Sequence, residues 1–320
     1  MHGSRRRSTT ALVVAAIAAV VLGATACAPP PSIVAAGTGA PAEAAAVADA
    51  DSAEDRLDDA REYAESRDAA LTAVVVDLAT GASTGVDPED PMLCASVAKL
   101  FLAAQAFHLD ATGEHVLDDD RELLRTMLAG SDDLAAGVLW NEYGPDVVAD
   151  VAQRYALTST SAPVDELWWN TVSTPADIAS LYQGITQDRD GLGPDRTAEF
   201  LDHLRAWTPV ATDGYDQSFG LPTVLGAPPV LAPKQGWMCC IDARWVHVSS
   251  ALVGDRYAVV VSVSEDVRYP DDDVMTGILP DTSWTDARDD ASAAHARDTI
   301  TEVVRILFPD GAVDAAWSES

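Results

Sequence analysis

Beyond residue 51 the hydrophobic positions alternate between a helical and a strand period as the chain proceeds. Leu57, Ala60, Tyr63 and Ala64 share one helical face and predict a helix over 52–67. Leu71 to Leu78 is β-rich, and Ala79-Thr80-Gly81 reads as a turn into a second short strand. From Ser96 the helical period returns, with Val97, Leu100, Phe101, Ala104 and Phe107 on one side. Further helices are predicted at 118–129, 133–142, 146–155, 175–187 and 195–206. Strand pattern resumes in Arg244–Val253 and Tyr257–Ser264, which flank Gly254-Asp255-Arg256 as the arms of a hairpin. A last helix, 287–307, stops before Pro309. Strands near both ends and helices in the middle predict an α+β domain, with an antiparallel sheet and a segregated helical region. No repeat of about 20 to 50 residues is present, which argues against a solenoid.

The first 51 residues follow different rules. Arg5, Arg6 and Arg7 precede an uncharged, mostly apolar stretch that ends in Leu22-Gly23-Ala24-Thr25-Ala26-Cys27. This is the layout of a signal peptide over 1–26, and its apolar core is shorter than the roughly 20 residues that span a bilayer. A cysteine directly after small residues resembles a bacterial lipobox, which makes Cys27 the expected lipidation site. Residues 27–51 are rich in Ala and Pro and predict a disordered tether, with the folded domain at 52–310 and a tail at 311–320. The expected location is the outer face of the cell membrane, facing the cell-wall space, reached by export and held by the lipid.

Composition narrows the function. A formal net charge of −31 argues against nucleic acid as a partner, because phosphates need clustered Lys and Arg. The chain is 48% hydrophobic, too apolar for an acidic disordered protein. Nearly all of the basic residues are Arg, and lysine occurs only at Lys99 and Lys234. No His-x-His, His-Glu-x-x-His or paired-cysteine spacing suggests a metal, and no cofactor is expected.

Both lysines fall in chemically suggestive settings. Ser96-Val97-Ala98-Lys99 opens an amphipathic helix, and a spacing of three places both side chains on one face. A serine hydroxyl needs an adjacent base, and a buried lysine beside a second cation can be one. Arginine cannot, since it stays protonated. Lys234 lies in Pro233-Lys234-Gln235-Gly236-Trp237, just ahead of the predicted hairpin. Between them, Ser131-Asp132-Asp133 begins a helix, where a plain N-cap is the simpler explanation. Gly81-Ala82-Ser83-Thr84-Gly85 matches Gly-x-Ser-x-Gly, but Pro88 and Pro91 follow it too closely for a strand-to-helix elbow.

Taken in order, these elements resemble the Ser-x-x-Lys, Ser-Asp-Asn and Lys-Thr-Gly motifs of the class A β-lactamases and penicillin-binding proteins. The Lys-x-Gly-Trp form of the third looks most like actinobacterial class A-like lipoproteins. The resemblance implies an antiparallel sheet flanked by terminal helices plus an all-helical lobe. It also implies Ser96 as nucleophile, Lys99 as its base, Ser131 as proton relay and Lys234 as a source of positive potential. The oxyanion hole would be the backbone N–H groups of Ser96 and Trp237, each worth about 2.7–4 kcal/mol when preorganised. Asp133, Gln235, Gly236 and Arg244 would line the substrate site. The substrate would be a β-lactam or a peptidoglycan peptide.

The sequence departs from that pattern. Asp133 stands in place of Asn, which removes donors and adds negative charge beside Lys99. Gln235 replaces a hydroxyl. Only 35 residues separate Ser96 from Ser131. Glu166 has the spacing to Asn170 of a deacylating carboxylate, but the loop that would carry it is very short. These departures leave a second expectation open: a catalytically impaired lipoprotein of the same fold, with a binding or structural role in the envelope. The resemblance also suggests a disulfide from Cys94 to Cys239 or Cys240, since both regions should meet at the site wall. Three buried free thiols are the alternative.

Overall fold

A computed structural model describes residues 52–226, 230–268 and 290–318. The signal peptide, Cys27, the tether and the first residues of the 287–307 helix lie outside the described residues.

Helix α1 (Ala53–Ser66) is capped by Ser52 and Asp55 in a reciprocal capping box, and leads into β1 (Ala69–Asp77) and β2 (Ser83–Val86). A short strand β3 (Met92–Leu93) precedes a 3-10 turn at Ala95–Ala98, which runs directly into α2 (Lys99–Thr112). The helical region continues with α3 (Arg121–Ala129), α4 (Asp133–Tyr143) and α5 (Val147–Tyr155), then β4 (Val172–Ser173), α6 (Pro175–Thr186) and α7 (Pro194–Arg205). A short α8 (Leu221–Leu225) leads to β5 (Leu231–Ile241), β6 (Arg244–Val253) and β7 (Tyr257–Asp266), and α9 (Ala291–Leu307) completes the order. The hairpin predicted around Gly254 forms, with Val253 facing Tyr257.

The sheet order is β2-β1-β7-β6-β5, antiparallel throughout. Both faces are covered, which explains why β7 reads as a nearly continuous apolar run. Val259, Val261 and Val263 face α1 and α9, whereas Ala258 and Val260 face the helical region. This is the predicted α+β fold.

Helix α2 is more deeply placed than its sequence face suggests. Leu102 and Ala103 are buried along with Leu100, Phe101, Ala104 and Phe107, because α2 is surrounded by other elements rather than lying on one. The Lys234 motif, just ahead of that hairpin, lies inside edge strand β5, which pairs with the first arm of the hairpin. Residues 311–318 do not form a free tail. They end in a 3-10 turn at Ala315–Ser318, whose Trp317 is fully buried against Phe308. The folded region therefore reaches past residue 310. Among the described residues no helix is long and apolar enough to cross a membrane.

Candidate active site

Ser96 lies in the turn that starts α2, and Lys99 is the first residue of that helix. The local geometry follows from the Ser-x-x-Lys spacing, and Lys99 Nζ donates to Ser96 Oγ at 2.9 Å. Two long-range features complete the arrangement. Pairing of β3 with β4, Met92 opposite Ser173, fixes the segment before Ser96. Strand β5 then passes so close that a Cβ on Gly236 would lie 2.7 Å from Cys94 O and 3.2 Å from Ser96 N. Only glycine allows that approach without backbone movement.

Ser131 comes from the turn before α4. The N-cap of that helix is Asp132, whose carboxylate accepts from Leu134 N and Ala135 N. Ser131 precedes the cap at φ 54°, a conformation rare outside glycine. Its Oγ meets both lysines, accepting from Lys99 Nζ at 3.1 Å and Lys234 Nζ at 2.9 Å. Lys99 also donates to Ser131 O at 2.6 Å, and Lys234 to Gln235 O at 2.9 Å. The structure thus brings together Ser96, Lys99, Ser131 and Lys234.

Asp133 joins them. Its Oδ1 lies 2.6 Å from Lys99 Nζ, in an ion pair whose lysine end is fully buried. Burial pushes the Lys99 ammonium below its ordinary pKa, while the Asp133 carboxylate pulls it back up. Lys234 is pushed down further, by burial and then by repulsion from Lys99, and among the described residues it pairs with no carboxylate. A serine hydroxyl held against one amine and bridged by a second hydroxyl to another has a path for its proton.

Several expected site residues are placed elsewhere. The Gln235 amide is buried in the fold, donating to Phe219 O at 2.7 Å and accepting from Ser249 Oγ at 2.9 Å, because neighbouring residues of a strand face opposite sides. Arg244 is held across the sheet by Asp266 at 2.7 Å and by Ser264, so its guanidinium is already paired. Glu166 is exposed and makes no hydrogen bond or ion pair with Ser96 or Lys99 among the described residues. Trp168, buried in the turn that follows it, takes that place beside Lys99, with Nζ 4.8 Å from its ring centre. Nothing in the sequence marked Trp168 beyond its packing character.

The cysteine pairing also differs from expectation. Cys239 and Cys240 are joined to each other, and Cys94 is a buried thiol. Cys94 belongs to the core under the helical region, while the adjacent pair packs against the core on the other face of the sheet. Burial pushes the Cys94 thiol well above its usual pKa, which disfavours a reactive thiolate.

The Trp237 side chain packs against the core shared by α1 and α9. Its ring stacks on Tyr215 at 4.7 Å, and Tyr215 OH bonds His247 Nε2 at 2.7 Å. His115, Asp120 and Glu142 are a set that could hold a metal, with ligand atoms within 4.8 Å of one another. His115 lies just past the far end of α2, whose 14 residues put it about 20 Å from Lys99. It has no part in the serine site.

No family model matches the chain. It is 38% identical over 262 residues to a protein named "Putative lipoprotein LppW" in Mycobacterium tuberculosis and in Mycobacterium bovis, a match covering 81% of this chain and 76% of that protein. Among solved structures it is similar to a β-lactamase from Chitinophaga pinensis, with a TM-score of 0.59 and 15% identity over 80% of this chain and 99% of that one. It is equally similar to an acyl-enzyme of PBP-A with penicillin G, with a TM-score of 0.59 and 16% identity over 80% of this chain and 96% of that one.

Proposed function

The chain belongs to the family of the mycobacterial lipoprotein LppW and has the fold of the class A β-lactamases and penicillin-binding proteins, and from that premise we propose that it is an exported serine hydrolase acting through a Ser96 acyl-enzyme. Its anchor would be a lipid on Cys27, which holds the domain in the cell-wall space. One observation carries the reading: Ser96 Oγ lies 2.9 Å from Lys99 Nζ, with Ser131 Oγ bridging Lys99 to Lys234. In the proposed mechanism a neutral Lys99 takes the Ser96 proton as Oγ attacks a lactam or peptide carbonyl. Ser131 passes a proton to the leaving nitrogen, and the backbone N–H groups of Ser96 and Trp237 receive the oxyanion. The close approach of β5 to the turn before α2 at Gly236 supports the choice of the second donor.

Release of the acyl group is the slow half of this scheme. Glu166 lies away from Ser96, and Trp168 fills the space beside Lys99 where an activating carboxylate and its water would be needed. The acyl-enzyme should therefore accumulate. A fluorescent penicillin followed by intact mass is expected to give a persistent adduct on wild type and none on Ser96→Ala. Equal labelling of the two proteins would overturn the assignment, and rapid loss of the adduct would overturn slow release.

A second reading rests on Asp133. Four oxygens surround Lys99 Nζ, the Asp133 carboxylate among them, and they favour the ammonium; a Lys99 that stayed protonated would leave a non-catalytic binding protein of the same fold. Absence of any adduct at every pH at which the protein is folded would favour that reading.

A further inference from the structure

Outside the serine site, the cavity between α4 and the turn before β4 has a volume of about 390 Å³. Its walls include Gly137, Trp140 and Asn141 of α4, and Glu166, Trp168 and Trp169 of the turn. Trp168 and Trp169 meet edge to face at 5.2 Å and 88°, and Trp169 is 38% exposed. Indole faces carry the negative lobe of their quadrupole and attract cations. Trp168 already does so, with the Lys99 ammonium 4.8 Å from its ring centre. Glu166 adds a full negative charge, and no Lys, Arg or His pairs with it among the described residues.

These features select a ligand class. The cavity is lined by no cationic side chain, and the Glu166 carboxylate would repel an anion. A neutral ligand would leave the Glu166 charge uncompensated. An inorganic cation would need several oxygen ligands, whereas the side-chain oxygens of the walls come only from Glu166 and Asn141. A weakly hydrated organic ammonium satisfies both wall types. We propose that this cavity is a binding site for an organic ammonium group, packed against Trp168 and Trp169 and neutralised by Glu166. The assignment does not rest on the acylation chemistry. It gives Glu166 a partner and accounts for the pairing of exposed indole with an unpaired carboxylate.

Gly137 permits a clean test. A Cβ there would meet nothing within 4 Å, and its backbone is not in the left-handed region, so a larger side chain can fill the cavity without disturbing the helix. Choline chloride is titrated into the full-length protein against potassium chloride of equal ionic strength, with tryptophan fluorescence as readout. Wild type and Ser96→Ala should both respond saturably to choline. Gly137→Leu should abolish the response, and Glu166→Gln should weaken it about fivefold or more. Thermal melts of the variants check that the fold is retained, and Trp169→Ala, a surface change, provides a second loss-of-binding variant. Coincident choline and potassium traces in wild type would overturn the proposal, as would an unchanged choline titration in Gly137→Leu. Saturation by neutral cellobiose but not by choline would overturn the ligand class. Because Ser96→Ala is expected to bind choline, failure of the acylation scheme and failure of this site give different results.

Discussion

At the scale of single residues, Asp133 is the decisive departure from the motifs the chain resembles. Its carboxylate raises the pKa of a lysine that burial lowers, so the two effects oppose each other at one nitrogen. Removing the carboxylate leaves burial to act alone. Asp133→Asn is therefore expected to make the neutral amine available at lower pH. The acid limb of acylation rate against pH should move towards acid, and the rate at pH 7 should rise. A limb that stays in place would show that Lys99 does not limit the step. Trp168 shows the other side of residue-scale reading. It is a buried packing residue, and what it packs against is the Lys99 ammonium.

At the scale of elements, the site depends on how closely β5 approaches the turn before α2. Gly236→Ala would place a methyl 2.7 Å from a backbone oxygen, which cannot swing aside as a side chain can. The substitution is expected to destabilise by about 1–3 kcal/mol in urea unfolding. Labelling of Ser96 should fall by far more than the loss of folded protein explains, since the Ser96 N–H would be displaced. The same strand pair carries a titrating group. His247 on β6 is held neutral, its pKa pushed down to about 3 by burial and then by Arg297. In the unfolded chain it protonates near 6.5. As pH falls from that value towards 3 the unfolded state binds the proton and the native state does not, so stability is lost over that window. The slope from this group is at most about 1.4 kcal/mol per pH unit. Thermal melts between pH 7 and pH 4 should show the loss, and His247→Gln should flatten it.

At the scale of the whole molecule, the two cores on either face of the sheet are closed by segments far apart in sequence. Trp317 comes from beyond the last helix and is fully buried in the core shared by α1 and α9. Trp317→Ala is expected to cost about 3–5 kcal/mol, measured as a lower urea midpoint, with Ser96 labelling per folded molecule unchanged. An effect below about 1 kcal/mol would mean that the C-terminal turn is dispensable. The −31 net charge acts at this scale on solubility, and both lysines are withdrawn from the surface into the site.

Features that depend on short stretches of chain were legible in the sequence. Helix and strand periods, the Gly254-Asp255-Arg256 hairpin and the Ser96–Lys99 contact all arise from spacings of a few residues, where backbone geometry alone sets which side chains meet. Others needed the fold. Ser131 and Lys234 are separated by 103 positions, and only the packing of β5 across the helical region brings their atoms to 2.9 Å. The path of a loop or the face of an edge strand decided the rest. Gln235 turned inward to Phe219 and Ser249, Arg244 paired with Asp266, Cys239 bonded its neighbour and not Cys94, and Glu166 ended in a separate cavity. Sequence spacing fixes contacts within a turn of helix or a pair of strands. Contacts between elements follow from how the cores exclude water, and no local pattern encodes that.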